Sequence, residues 1–151
     1  LLNPAPAITG NSELQALADL ITPNESEFAA LLGDVGETLA AEIIAGMPAA
    51  QLHRLARKLC SPAVIITLGA RGALLSQDSG YREFTAPAVS VRDSTGAGDC
   101  CNGALAAELA EGAGLIDACA FAVKAASCKV ERSGAALAMP SRADIYKRFP
   151  D

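Results

Sequence analysis

The segment D-S-T-G-A-G-D, from Asp93 to Asp99, places two carboxylates at the ends of a loop of small residues, directly before an alanine-rich segment with helical character. Amides at a helix N-terminus have no acceptor within the helix, and the helix dipole adds positive potential at the same point. Gly96, Ala97 and Gly98 leave such amides uncovered by bulky side chains. The sequence therefore predicts an anion-binding site here.

Asp99 falls in the first turn of the predicted helix, where a carboxylate can do proton chemistry. Phosphoryl transfer needs positioning, charge stabilisation and a base that accepts the proton of the attacking hydroxyl. The segment lacks the G-K-[ST] ending of a Walker A loop, so a P-loop is not predicted. The residues alone leave a simpler interpretation open, in which Asp99 only stabilises the helix dipole and the glycines form a plain turn.

Composition limits the function classes. The chain has 151 residues, 51% of them hydrophobic, which is enough for one sizeable core. A formal charge of -5 and an aromatic content of 4% argue against a nucleic-acid-binding protein. There is no apolar run of the roughly 20 residues that a membrane span needs, and we expect a cytoplasmic protein. The five cysteines form no C-x-x-C pair and His53 is the only histidine, so we expect reduced, buried thiols rather than a zinc site.

The elements that must position the loop follow an α/β order. Residues 63–68, A-V-I-I-T-L, read as a strand buried on both faces. Leu1 and Leu2 read as the end of another buried strand, so we expect the chain to begin within a sheet. The pattern predicts helices over 12–20, 25–32, 49–60, 98–111 and 115–130, a last helix capped by Ser141 with Asp144, and short hairpin or edge strands over 73–76, 81–85 and 88–91. We expect a mostly parallel sheet flanked by helices.

The longer string D-S-T-G-A-G-D-C-C-N-G-A-L resembles the C-terminal signature of the ribokinase-like (PfkB) carbohydrate kinases. Four further segments occur in the family's order: N-P-A-P-A from residue 3, T-P-N-E-S-E from residue 22, I-T-L-G-A-R-G from residue 66 and R-S-G-A-A from residue 132. They are more similar to the ribokinase branch than to adenosine kinases or fructokinases. The resemblance implies a three-layer α/β/α fold and transfer of the γ-phosphoryl group of ATP to the 5-hydroxyl of D-ribose.

The resemblance also implies roles for individual residues. Asp99 would be the general base that contacts the sugar hydroxyl, and Gly96, Ala97 and Gly98 would form the anion hole for the transferring phosphoryl group. The implied nucleotide and Mg²⁺ positions are Asn24 and Glu27 of an N-x-x-E motif, the turn Thr67, Leu68, Gly69, Ala70, Arg71 and Gly72, and Val123 beside the adenine. Each has a simpler interpretation from the residues alone, as a helix cap, a strand turn and a core position respectively.

A monovalent cation site, occupied by K⁺ in the family, is implied as well. Its main-chain oxygen ligands would come from Asp93, Thr95, Lys129, Arg132 and Gly134. The chain departs from the family pattern here, because Lys129 stands where a small residue is usual.

Family members are about twice as long as this chain, and their sugar-binding residues and lid lie in the N-terminal half. The resemblance therefore implies that residues 1–151 are the C-terminal nucleotide-binding part of a single domain, incomplete at its N-terminal side and inactive alone. The partner would be a small-molecule sugar, and full-length relatives would be homodimers joined through the lid. Two alternatives stay open: a kinase of the same family for another sugar or a nucleoside, and a non-catalytic nucleotide-binding or interaction module.

Overall fold

The computed structural model of the protein describes residues 1–7, 9–10 and 12–150. These residues form two compact units, Leu1–Gly69 with Ala73–Glu83, and Ala70–Gly72 with Phe84–Asp151. The elements in chain order are α1 (Ser12–Ala16), β1 (Leu20–Ile21), α2 (Glu25–Gly33), α3 (Ala41–Gly46), α4 (Ala49–Ala56), β2 (Ala63–Thr67), a 3₁₀ turn (Gly69–Arg71), β3 (Ala73–Gln77), β4 (Gly80–Phe84), α5 (Ala97–Ala110), α6 (Leu115–Val130), a second 3₁₀ turn (Ala136–Ala138) and α7 (Arg142–Arg148).

The sheet of the first unit is mixed and has the order β1-β2-β3-β4. Strand β1 pairs in parallel with β2, with Leu20 opposite Ala63, whereas β2 and β3 are antiparallel. Leu2 adds an isolated parallel bridge to Ile21, but Leu1 is exposed and Leu2 is only partly buried, so the buried strand expected at these two residues is not present. The strands predicted at 73–76 and 81–85 are both present, and they follow the parallel part of the sheet.

Helices α2, α3 and α4 contribute to one apolar core with the sheet. The β-branched run of β2 is buried at every position except Thr67, as its composition predicts for a central strand. Two positions at helical spacing in α4, Leu52 and Ala56, have 0% exposure. Phe28 and Leu32 of α2 join the same cluster of buried side chains. This packing fixes where β2 ends, and the 3₁₀ turn follows directly.

Two predicted helix ends and one predicted strand are wrong. The first helix ends at Ala16 rather than residue 20, since Leu20 pairs with β2. Helix α4 ends at Ala56 rather than residue 60. Residues 88–91 form no strand. Pro87 has no amide to donate there, and the amides of Arg92 and Asp93 donate to the carbonyl of Val130 at the end of α6 instead.

The second unit is built around α5 packed against α6, with α7 closing the end of α6. Cys100, Ala125, Cys128 and Ile145 form a small buried cluster between them. The predicted cap of the last helix is confirmed. The Ser141 hydroxyl accepts a hydrogen bond from the Asp144 amide at 3.2 Å, and the Asp144 carboxylate accepts one from the Ser141 amide at 2.9 Å. The loop before α5 is therefore bonded to the end of α6 at its start and continues directly into α5 at its other end.

All five cysteines are free, as expected, and four of the five are buried. Cys100, Cys101, Cys119 and Cys128 are buried, whereas Cys60, in the turn after α4, is exposed. Burial raises the pKa of the Cys101 and Cys119 thiols to about 12, so they stay protonated and unreactive at neutral pH. Across the described part of the chain, every helix is too short or too polar to cross a bilayer.

Candidate functional site

The N-terminus of α5 presents free backbone donors. Gly96 is the N-cap residue with φ +75°, a conformation that favours glycine. The Ala97 amide already donates to the carbonyl of Ser94 at 3.1 Å. Among the described residues no backbone acceptor pairs with the amides of Gly98 and Asp99. A Cβ atom built on Gly98 would meet no heavy atom within 4 Å, so an anion can approach these two amides closely.

Asp99 combines these donors with an exposed carboxylate. It is in the first turn of α5, and its side chain lines a cavity of about 330 Å³ within the second unit. The lining is largely apolar and includes Gly103 and Ala107 of α5, Phe121 of α6 and Arg142 of α7. The geometry thus places a proton acceptor one residue from an open amide and beside a space large enough for a small molecule.

Asn24 and Glu27 form a capping box at the start of α2. The Asn24 side-chain oxygen accepts from the Glu27 amide at 2.9 Å, and Glu27 Oε2 accepts from the Asn24 amide at 2.9 Å. The structure therefore contains the cap that the residues alone suggested. A cap leaves Glu27 Oε1 for other contacts, and Mg²⁺ in phosphoryl transfer is typically held by one or two carboxylates together with phosphates. A magnesium role for this pair stays a prediction.

The first unit brings the two predicted nucleotide-binding segments together. Asn24 forms a parallel bridge with Thr67, and the Thr67 amide donates to the carbonyl of Pro23 at 2.9 Å. Gly69 has φ +52°, and a Cβ atom built on it would lie 3.9 Å from Glu25 Oε1. The N-x-x-E motif therefore neighbours Thr67 and Gly69, two residues of the predicted turn that belong to the first unit.

Within the predicted turn, Leu68 and Gly72 have structural roles of their own. Leu68 is buried in the core of the first unit. Gly72 has φ +98°, and a Cβ atom added to it would lie 1.9 Å from the carbonyl oxygen of Phe84. Close backbone approach within the protein is thus sufficient to explain the glycine at 72. Ala70 and Arg71 complete the 3₁₀ turn. Val123 of α6 is buried, which suits the core interpretation of that position.

The residues at the predicted cation site do not fit a monovalent cation. The Lys129 ammonium is fully buried and donates to the main-chain oxygen of Asp93 at 3.0 Å. The main-chain oxygen of Lys129 accepts from the amides of Glu131 and Arg132, which uses both of its lone pairs. Two of the five expected oxygen ligands are thus already engaged. Thr95 lies within the same loop, the Gly134 amide donates to the Asp93 carboxylate, and Arg132 follows the end of α6.

The Asp93 carboxylate is held by backbone donors. Its two oxygens accept from the Thr95 amide at 2.9 Å and the Gly134 amide at 2.8 Å. These bonds lower the pKa of Asp93 from 3.8 to about 2, with a smaller contribution from the Lys129 charge. The carboxylate therefore fixes the beginning of the loop at neutral pH, and Asp99 lies at its other end.

We expect this carboxylate to make stability pH-dependent in acid. A lowered pKa in the folded state stabilises the fold above pH 3.8, and that contribution disappears as the pH falls toward about 2. Thermal unfolding of the wild-type chain and the Asp93→Asn variant should therefore differ most above pH 4 and converge near pH 2. A difference in Tm that stays constant over this range would contradict the expectation.

Comparison with known proteins identifies the family of the chain. Residues 1–142 match the model of the pfkB family carbohydrate kinases, and the chain belongs to this family. A ribokinase from Schizosaccharomyces pombe is 35% identical over 150 residues, which cover 99% of this chain and 46% of that protein. The chain therefore spans about half the length of the curated relatives it matches.

Solved structures give the same fold. A ribokinase from Thermotoga maritima superposes with a TM-score of 0.83 at 34% identity, covering 99% of this chain and 48% of that one. An Arabidopsis thaliana ribokinase complexed with ribose and ATP gives 0.74 at 30% identity, covering 93% and 43%. A phosphofructokinase-2 from Escherichia coli in complex with potassium gives 0.71 at 26% identity, covering 92% and 44%. The ribokinase-like fold is thus shown, and the chain covers only part of it.

Sequence reasoning missed three features of the site. The free amides lie at Gly98 and Asp99 rather than at Ala97, because a turn within the loop uses the Ala97 amide. Arg142 lines the cavity beside Asp99, and no motif marks it. The Lys129 side chain turns inward to Asp93. The sequence did contain a signal for the inward side chain of Lys129, because Lys129 has helical spacing with Ala125 and Cys128 on the buried face of α6.

Proposed function

We propose that this chain supplies the nucleotide-binding and proton-accepting part of an ATP-dependent sugar kinase that acts on D-ribose. The observation that carries the proposal is the N-terminus of α5, where the open amides of Gly98 and Asp99 adjoin the exposed Asp99 carboxylate. Family membership supports kinase chemistry at this point. The ribokinases among its relatives support ribose as the substrate. A cytoplasmic location stays a prediction.

In the proposed reaction, Asp99 accepts the proton of the sugar 5-hydroxyl as its oxygen attacks the γ-phosphorus of ATP. The bond from that phosphorus to the bridging oxygen breaks, and ADP leaves with the electron pair. The amides of Gly98 and Asp99, together with the dipole of α5, stabilise the charge on the transferring group. Mg²⁺ would neutralise charge on the ATP phosphates when bound.

We infer that these residues do not position the sugar. Phosphoryl transfer depends on holding the hydroxyl in line with the phosphorus, and misplacement costs many orders of magnitude in rate. Since the chain spans about half of its relatives, we expect it to bind ATP without phosphorylating ribose alone. Joining it behind the N-terminal half of the Thermotoga maritima ribokinase should yield an active kinase, and a panel of sugars and nucleosides then identifies the substrate.

Binding of a non-hydrolysable ATP analogue, measured by calorimetry, tests the phosphate site directly. We expect Gly98→Val to weaken binding by roughly 10- to 100-fold, the effect of losing one charge-assisted hydrogen bond. The fold has room for the added side chain, so stability should change little.

The matched control is Ala106→Val, which places the same side chain on an exposed position of α5. We expect it to leave the affinity unchanged. Equal affinity of wild type and Gly98→Val would contradict a phosphate site at this helix end. If the wild-type chain fails to bind the analogue, the proposal of a nucleotide-binding part is wrong for this chain.

A further inference from the structure

Lys129 is a charged side chain in the protein interior, where charged side chains are rare. It lies in the last turn of α6 with 0% exposure. A lysine is almost never fully buried unless its ammonium is compensated by a polar partner. Here the ammonium donates to the main-chain oxygen of Asp93 at 3.0 Å. It is therefore a fixed positive charge inside the second unit, directed at the loop before α5.

The surroundings show what this charge holds in place. The amides of Arg92 and Asp93 donate to the carbonyl of Val130, at 2.8 Å and 3.2 Å. The Asp93 carboxylate is turned to the amides of Thr95 and Gly134. Backbone, carboxylate and ammonium together tie the start of the loop to the end of α6. The loop ends at the open amides of α5, so Lys129 binds the opposite end of the loop that leads to that site.

The same contacts oppose the binding of a second cation at this point. A monovalent cation needs several oxygen lone pairs that face one centre. The ammonium of Lys129 donates to the oxygen of Asp93 and occupies one of its lone pairs, and the amides of Glu131 and Arg132 occupy both lone pairs of the Lys129 oxygen. An added cation would also be repelled by the buried ammonium, because a low-dielectric interior screens like charges poorly.

We propose that the Lys129 ammonium is a tethered cation that replaces the free monovalent cation, so that this protein has no K⁺ requirement. The pfkB-family phosphofructokinase-2 in complex with potassium shows that such an ion binds in a relative. In this chain the positive charge is covalently attached to α6. It cannot exchange with solvent, and its occupancy does not depend on salt composition.

Thermal unfolding of the 151-residue chain tests the proposal, in KCl and in tetramethylammonium chloride at equal ionic strength. We expect the wild-type Tm to be the same in both salts. Lys129→Ala removes the ammonium and frees the Asp93 oxygen, so its Tm should fall by roughly 4 °C or more. Potassium, but not tetramethylammonium, should then raise the Tm of this variant by roughly 2 to 4 °C.

Two control variants separate charge from packing. Lys129→Met fills the space without a charge and leaves little room for an ion, so it should lose stability and show no potassium response. Lys147→Ala removes an exposed lysine of α7 and should change neither quantity. A potassium-specific rise in the wild-type Tm would overturn the proposal. A folded Lys129→Ala that does not respond to potassium would also overturn it.

If Lys129→Ala folds in neither salt, thallium NMR of the wild-type chain decides the matter, with Tl⁺ as the potassium probe. An unperturbed Tl⁺ signal supports the tethered cation, and a shifted or broadened signal that KCl reverses overturns it. Neither assay contains ATP or sugar. A failed tethered-cation proposal would therefore leave the proposed kinase function untouched, and the reverse also holds.

Discussion

Asp99→Asn should lower the kcat for phosphorylation of D-ribose by roughly 10²- to 10⁴-fold, the usual contribution of a positioned general base. The amide is nearly the same size as the carboxylate and cannot accept the proton of the attacking hydroxyl. The backbone amides of Gly98 and Asp99 remain in place in the variant, so binding of the ATP analogue should persist. The assay uses the chain joined behind the N-terminal half of the Thermotoga maritima ribokinase, with steady-state turnover and calorimetry as the two measurements.

Asp117→Asn is the matched control for this prediction. Asp117 is an exposed carboxylate in the first turn of α6, so it shares with Asp99 the interaction with a helix dipole but not the neighbouring cavity. If Asp99 were only a dipole stabiliser, both variants would lose a similar, small amount of stability, about 0.3 to 1 kcal/mol, and turnover would not change. Unchanged kcat in Asp99→Asn would refute its role as the base.

Gly72→Ala should be the most destabilising single methyl substitution at the turn after β2. The new Cβ atom would lie 1.9 Å from the Phe84 oxygen and 2.6 Å from the Ala86 nitrogen, both main-chain atoms, at a residue with φ +98°. Backbone cannot move aside as a flexible side chain can. We expect the free energy of unfolding to fall by more than about 3 kcal/mol, which is roughly 6 to 12 °C in Tm for a chain of this length.

Gly112→Ala separates the clash from the backbone strain. Gly112, in the turn between α5 and α6, has φ +90° with no heavy atom within 4 Å of an added Cβ. Its free energy of unfolding should fall only by the cost of the unfavourable φ, about 1 to 2 kcal/mol. Equal losses in the two variants, measured by denaturant unfolding, would show that the approach of Phe84 to Gly72 is not a constraint on the fold.

Local patterns in the sequence predicted the elements whose pattern and packing agree. Helix α6 has its predicted bounds, Leu115–Val130, because its apolar spacing matches the faces it buries. The Ser141 cap and the buried strand β2 were predicted for the same reason. The prediction that the first helix reaches Leu20 was wrong, because Leu20 pairs with Ala63 and therefore belongs to β1. A local pattern cannot reveal a strand partner 43 residues away.

For the candidate site as well, the sequence predicted some features and the tertiary structure decided others. The residue types from Asp93 to Asp99 indicated that this loop could bind an anion and accept a proton, although they also fitted a dipole-stabilising carboxylate after a plain turn. The similarity of the whole chain to its family suggested the proposed reaction. These conclusions need only the order and chemistry of residues along the chain.

Only the tertiary structure decided which groups are free. It showed that the Ala97 amide is used within the loop, that Gly72 is required by the backbone of Phe84, and that the Lys129 ammonium is bound to the oxygen of Asp93. The physical reason is that hydrogen-bond satisfaction and close approach depend on distances between residues far apart in sequence. Residue type gives each group its capacity to donate, accept or carry charge. Folding determines which of those capacities remain for a ligand.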